Sequence, residues 1–342
     1  MIPFIKIDAK NHYDFGLQLG KRLKKQINLR IKKNKEAYKK RGAWDYSELV
    51  NLSRKFLPSI KKRYPELLRE VEGISLSSGV NFDDLLVLLC EEELLDLKMA
   101  KVMPHCTNVA IKTGNNNILL GHNEDWLPEY RDNGLVVIKG RIGNNKFLSL
   151  GFIGSLQGTS CGLADRGFAF TVNSLEFKKF RYQVPRSFQL AKLLEIKDPS
   201  EIIKVLNFEK SSISGNTMFA WANKGILDVE ELFGHVDKFK HDKWLVHTNH
   251  PLRREDQNKK NTKNESVKRY DRAIEILSNE DKLELNTIKK ILSDHRVKIC
   301  DHSKKISKYT TVASAIMSPS EKWIEVCSGN PCKSKYKRYY LK

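Results

Sequence analysis

Long apolar runs are the first thing this sequence lacks. The opening residues, MIPFIKIDAK, hold no apolar stretch of the length a secretory signal needs. No later stretch approaches the roughly 18 charge-free apolar residues of a membrane span. The most apolar segment, LLVLLC at 85–90, is closed at once by three glutamates. A cytoplasmic protein with no membrane partner is the expectation. Cysteine is sparse as well: six residues, at 90, 106, 161, 300, 327 and 332, scattered along 342. That is not a disulfide framework, and a chain this long needs none, so reduced thiols are expected even at the near neighbours Cys327 and Cys332. No internal repeat and no flexible linker divides the chain. Nor does any segment interleave basic residues with aromatics, as an RNA-binding strand does. The formal charge of +20 comes mainly from lysine spread along the whole length. It points to no nucleic-acid partner and leaves room for an acidic small ligand.

What is present is a globular composition, 40% hydrophobic with 15 Phe and 11 Tyr, enough for a sizeable core. The first hundred residues read as helical. Phe15, Leu19, Leu23, Ile27 and Ile31 recur every fourth position between Asp14 and Tyr38. Gly16 and Gly20 lie beside that stripe, which suggests close packing on another element. Further amphipathic turns are broken near Pro58 and Pro65, and Asn81 is placed to cap FDDLLVLL. From Cys106 onward the period changes to two. Strand–turn–strand blocks run through CTNVAIKTGNNNILLGHNED, LVVIKGRIGNNKFLSLGF and GTSCGLADRGFAFTVNSL. Helices are expected at 187–196, 199–208, 266–278 and 285–294, with strands in NTMFAWANKGILDVEEL, KWLVHTNH, TTVASAIM, EKWIEVCSG and KRYYLK. The polar run 253–266 reads as a surface loop. Strand blocks around helix pairs imply an α+β, four-layer αββα arrangement. Residues 1–105 form its helical N-terminal segment and 106–342 its main part, packed together as one domain.

Three polar groupings sit at strand ends, where a scaffold presents side chains to a cleft. They are Cys106-Thr107, the GHNEDW run from Gly121 to Trp126, and VHTNH from Val246 to His250; Asn173, in FTVNSL, is a fourth candidate. Taken alone, Cys106 also fits a small buried hydrophobe, and Asp125 and Asn249 also fit turn residues. His122, His247 and His250 are metal-ligand types. Residues three apart on a strand point to opposite faces, however, so His247 and His250 are poorly placed to share an ion, and no metal is expected.

Taken together, these motifs resemble the acyl-coenzyme A:6-aminopenicillanic acid acyltransferase (isopenicillin-N acyltransferase-like) family of N-terminal-nucleophile hydrolases. DFGLQLGKRLKKQI resembles its opening helix, CTNVAI with LLGHNEDW its nucleophile strand and the motif that follows, GLADRGFAFTVN its Gly-rich hairpin, and VHTNH its own string. The resemblance implies an inactive precursor that cuts itself between His105 and Cys106. The fragment 1–105 would stay bound as a subunit. The freed α-amine of Cys106, with an ordinary pKa of roughly 7.7–8.0, would serve as base for its own thiol. It further implies Asp125 as the acid near that amine and Asn249 as a donor to the tetrahedral oxyanion. Asn173, Ser307 and Lys308 follow as candidates for substrate or oxyanion contact. Catalysis would pass through a thioester on Cys106. It would act on an acylated amine, amino acid or small peptide, without a cofactor, although a coenzyme A thioester is a candidate acyl donor. Two departures stand out: His105 replaces the Gly before the nucleophile, and Lys308 replaces an Arg. Two rivals are a catalytically inactive copy acting as a basic binding protein, and a metal hydrolase using His122, His247 and His250.

Overall fold

A computed structural model describes residues 1–42, 45–98, 105–131, 133–175, 180–206, 211–222, 224–232, 235–252, 264–303 and 309–342. They fall into two compact units that interleave along the chain. One takes Met1–Val102, Asp132–Thr159 and Lys178–Ile213; the other takes Met103–Arg131, Ser160–Phe177 and Ser214–Lys342.

The first unit is mainly helical. The stripe starting at Asp14 forms two helices, His12–Arg22 and Lys24–Gly42, parted at Leu23. Asn11 caps the first by accepting from the Asp14 N–H. Gly16 and Gly20 do permit a close approach. A Cβ on Gly16 would lie 2.0 Å from the Glu70 carbonyl oxygen, and one on Gly20 would lie 2.6 Å from that of Ile74. The helix His12–Arg22 therefore packs backbone to backbone on Pro65–Ser78. The helical reading of this region missed one element. Phe4–Ala9 is a strand, parallel to Leu135–Ile142, which pairs in turn with Asn145–Phe152. Its two-residue alternation is short, and its partner is far along the chain. The helix expected at 187–196 runs Arg186–Leu193. That expected at 199–208 shrinks to a 3₁₀ turn and Ile202–Val205.

The second unit is layered. Its first sheet is antiparallel, in the order Trp244–His247, Thr107–Lys112, Ile118–Trp126, Thr310–Ser318, Trp323–Ser328, Tyr336–Tyr340. A second antiparallel run, Cys161–Ala164, Phe168–Ser174, Gly215–Trp221, Gly225–Leu232 and His235–Phe239, packs on one face of it. The helices Glu265–Ser278 and Leu285–Leu292 cover the other face. The pleat explains the division. Val109 and Ile111 join Ala273, Ile276, Ile288 and Leu292 in the helix-side core, while Asn108 points the opposite way and donates to Asn216 of the second sheet at 3.2 Å. Among the described residues no helix is long and apolar enough to cross a membrane.

Candidate active site

Strand register brings the first two polar groupings together. Thr107 lies opposite Asn123 and Asn108 opposite His122, so Cys106, one residue earlier, meets the Glu124–Asp125 end of the neighbouring strand. The Asp125 N–H donates to Cys106 Sγ at 3.4 Å, and the thiol lies 3.8 Å from Glu124 Oε1 and 3.6 Å from the Asp125 carbonyl. Glu124 and His122 share the face of Asn108. His122 Nδ1 is 2.7 Å from Asn108 Oδ1 and Nε2 is 3.2 Å from Glu124 Oε2. The ligating atoms of Cys106, His122 and Glu124 all lie within 4.8 Å of one another.

Asp125 alternates to the other face, where Thr311 is its cross-strand partner. Burial pushes its carboxyl well above the usual range, and the Asp301 and Glu124 charges add to that. The Thr311 hydroxyl and the Arg269 guanidinium pull down without offsetting burial. Neither carboxyl oxygen meets a donor in ordinary hydrogen-bonding geometry, and the Thr311 hydroxyl is the nearest to serving as one. The Cys106 thiol is likewise pushed well up, by burial first and then by the Glu124 and Asp125 charges.

The residue that ties the site together is one the sequence reading passed over. Arg269, wholly buried in the helix Glu265–Ser278, donates through Nη1 to the carbonyl oxygens of His105 (2.5 Å) and Cys106 (2.6 Å) and to Thr107 Oγ1 (3.1 Å). Through Nη2 it reaches Asn249 Oδ1 at 2.8 Å. A sign was available: Arg269 falls on the stripe of Ser266, Ala273 and Ile276, a permanent charge on a face that packs inward.

Asn249 thus shares a guanidinium with the backbone of Cys106, and its amide N–H donates to the Ser174 carbonyl at 2.9 Å. Asn173 donates to the carbonyls of His247 (3.0 Å) and Thr248 (2.9 Å), which fixes the end of the VHTNH strand. His105 stands 3.3 Å from Asp301 Oδ2 and 3.6 Å from Glu265 Oε2. Ser307 and Lys308 lie outside the described residues, as does most of the loop 253–266. The three histidines of the metal reading are not brought together. His247 Nε2 pairs with Glu230 at 2.7 Å, and His250 Nδ1 lies 2.9 Å from Ser266 Oγ. No ligand group of the described residues unites them with His122. The six cysteines are free thiols.

The family model for acyl-coenzyme A:6-aminopenicillanic acid acyl-transferase matches residues 111–333, well over half of the chain. The chain belongs to this family. The match opens at Ile111, just downstream of Cys106. A curated relative, the beta-alanyl-dopamine/carcinine hydrolase of Drosophila melanogaster, is 26% identical over 218 residues, covering 57% of this chain and 54% of that protein. The chain thus spans about half the length of the curated relative it matches. Among solved structures, the Caenorhabditis elegans N-acylethanolamine-hydrolyzing acid amidase ortholog superposes with a TM-score of 0.50 at 15% identity. That overlap covers 63% of this chain and 93% of that one. A mutant conjugated bile acid hydrolase of Clostridium perfringens gives 0.47 at 12%, covering 68% and 96%. The fold is the α+β N-terminal-nucleophile hydrolase fold, and the family is one of amide hydrolases and acyltransferases.

Proposed function

We propose that the chain is a self-processing cysteine amidohydrolase whose nucleophile, Cys106, is made by cutting the His105–Cys106 bond. The observation that carries this reading is the grip of Arg269 on the His105 carbonyl oxygen, the atom that would become the oxyanion, beside a buried thiol. In the uncut chain the nitrogen of Cys106 is an amide and cannot act as base. Glu124, whose Oε1 lies 3.8 Å from the thiol and whose Oε2 is held by His122, takes the proton instead. The thiolate adds to the His105 carbonyl carbon, and Arg269 holds the developing negative charge. The C–N bond breaks as the proton taken from the thiol passes to the Cys106 nitrogen, leaving a thioester on Sγ and a free α-amine. Water then cleaves the thioester and leaves His105 as a carboxylate.

In turnover the same thiol attacks an amide, with the α-amine of Cys106 as base. Asp125, whose burial the Thr311 hydroxyl and Arg269 do not offset in the uncut chain, is the counter-charge for the ammonium that forms. Arg269 and Asn249 are assigned to the second oxyanion; Asn249 Nδ2, which donates one N–H to the Ser174 carbonyl, has a second to offer. The Drosophila relative, a beta-alanyl-dopamine/carcinine hydrolase, supports hydrolysis over acyl transfer, and a small aminoacyl amide of an amine as substrate class.

Intact mass spectrometry tests this directly. Purified protein should give co-purifying fragments 1–105 and 106–342, and Cys106→Ala a single full-length, folded and inactive chain, since a small apolar residue fits the same space. Wild-type protein that stays whole yet hydrolyses amides would remove the self-processing step.

A further inference from the structure

A second cluster of chemistry-bearing side chains lies in the same unit and plays no part in the proposed reaction. His295, Cys300, His302 and Cys332 place their ligating atoms within 4.8 Å of one another. Cys300 Sγ and Cys332 Sγ are 3.7 Å apart; His302 Nε2 is 3.6 Å from the first and 3.2 Å from the second. The rings of His295 and His302 meet edge to face, with centroids 5.3 Å apart. A zinc ion with sulfur at about 2.3 Å and nitrogen at about 2.0–2.1 Å sets tetrahedral S···S edges near about 3.8 Å and S···N edges near about 3.5 Å. The three edges among Cys300, Cys332 and His302 sit close to those values, and His295 completes the set within 4.8 Å. We propose that His295, Cys300, His302 and Cys332 form a structural Cys₂His₂ site for Zn²⁺.

The surroundings fit that assignment. Two thiolates and two neutral imidazoles balance the charge of a divalent zinc ion, so loading releases two thiol protons and leaves no net charge in a half-buried place. Cys300 is buried, His302 and Cys332 are half-buried and His295 is exposed, which gives the ion a way in. Asn330 Nδ2 donates to Cys300 Sγ at 3.4 Å and to the Asp301 carbonyl at 2.7 Å, the kind of outer hydrogen bond that steadies a ligating sulfur. Soft thiolates with imidazoles select zinc over magnesium or calcium. All four ligand positions are filled by protein, which marks a structural rather than a catalytic ion. The ion would clamp the segment 295–302 to Cys332, and with it Asp301, whose carboxylate holds His105. The assignment stands whether or not the chain cuts itself.

The test uses full-length protein purified under reducing conditions without chelator. Elemental analysis should find about one zinc per chain. Cobalt-loaded protein should show thiolate-to-cobalt charge transfer and the strong visible bands of a tetrahedral ion. Cys332→Ser and His302→Gln should each weaken zinc binding by at least about tenfold. If either variant folds poorly, the wild type still decides: zinc should shield Cys300 and Cys332 from alkylation, and a chelator should expose them. Protein that binds neither zinc nor cobalt, an octahedral cobalt spectrum, alkylation unaffected by zinc, or a Cys300–Cys332 disulfide in place of the metal would overturn the assignment.

Discussion

Around His12, in the first unit, a half-buried cation bridges the buried Glu70 and the half-buried Glu195. Nδ1 is 2.7 Å from Glu70 and Nε2 is 2.8 Å from Glu195. Gln157 donates to the other oxygen of Glu70, and Lys192 reaches both Glu195 (2.7 Å) and Glu66 (3.1 Å). Burial alone would lower the pKa of His12, but the two carboxylates win and raise it to about 10. Around Cys106, in the second unit, the same burial is left uncompensated. The thiol and the Asp125 carboxyl are both driven toward their neutral forms, with a single guanidinium beside them. A buried charge with a partner holds a fold together. A buried acid without one stores free energy that only a later partner can recover; in the proposed function that partner is the freed amine of Cys106.

Substitutions should therefore move stability in opposite directions in the two places. His12→Gln removes the cation from the buried Glu70, whose own carboxyl is already pushed up by burial, and from the half-buried Glu195, which keeps Lys192. It should cost about 1–3 kcal/mol at pH 7 in chemical denaturation, with little effect on turnover per folded molecule. The sign with pH follows from the raised pKa: the contribution of His12 is complete below about pH 6.5 and is lost as pH rises through about 10. The gap between variant and wild type should close at the alkaline end; a constant gap would show that packing, not charge, carries it. Arg269→Lys keeps the charge but loses the fork. It should slow cutting at His105–Cys106 by about 10²–10³, followed by mass over time; an unchanged rate would remove Arg269 from the oxyanion. Asp125→Asn is the smallest effect and the sharpest contrast. A raised carboxyl pKa means stability is lost as pH rises above the unfolded value, so removing the acid should stabilise the uncut chain by about 0.5–2 kcal/mol while impairing turnover. A destabilised Asp125→Asn would mean that the carboxyl is already well partnered.

Local pattern made part of this legible. Cys106, Asp125 and their neighbours lie on adjacent strands joined by a short turn, so alternation and register carry them to one place. Gly16 and Gly20 signalled a tight helix contact because few other roles suit glycine inside an apolar stripe. Arg269 was not legible as a partner of His105, because a helix far along the chain delivers it and no local period links them. Phe4–Ala9 escaped for a like reason: its pairing with Leu135–Ile142 is parallel and distant. The Cys₂His₂ cluster is drawn from His295, Cys300 and His302 on one segment and Cys332 on another, at spacings that match no familiar zinc pattern.

Arg269 has one more consequence. It grips the last carbonyl of one prospective fragment and the first carbonyl of the other. A cut between them turns the His105 carbonyl into a carboxylate, which a guanidinium binds more tightly than a neutral oxygen. The new enzyme would begin life plugged by its own discarded tail. Its lag before first turnover would then be set by how fast residue 105 leaves that cation, and a free carboxylate mimic, seated on the same guanidinium, should inhibit the enzyme once the lag is over.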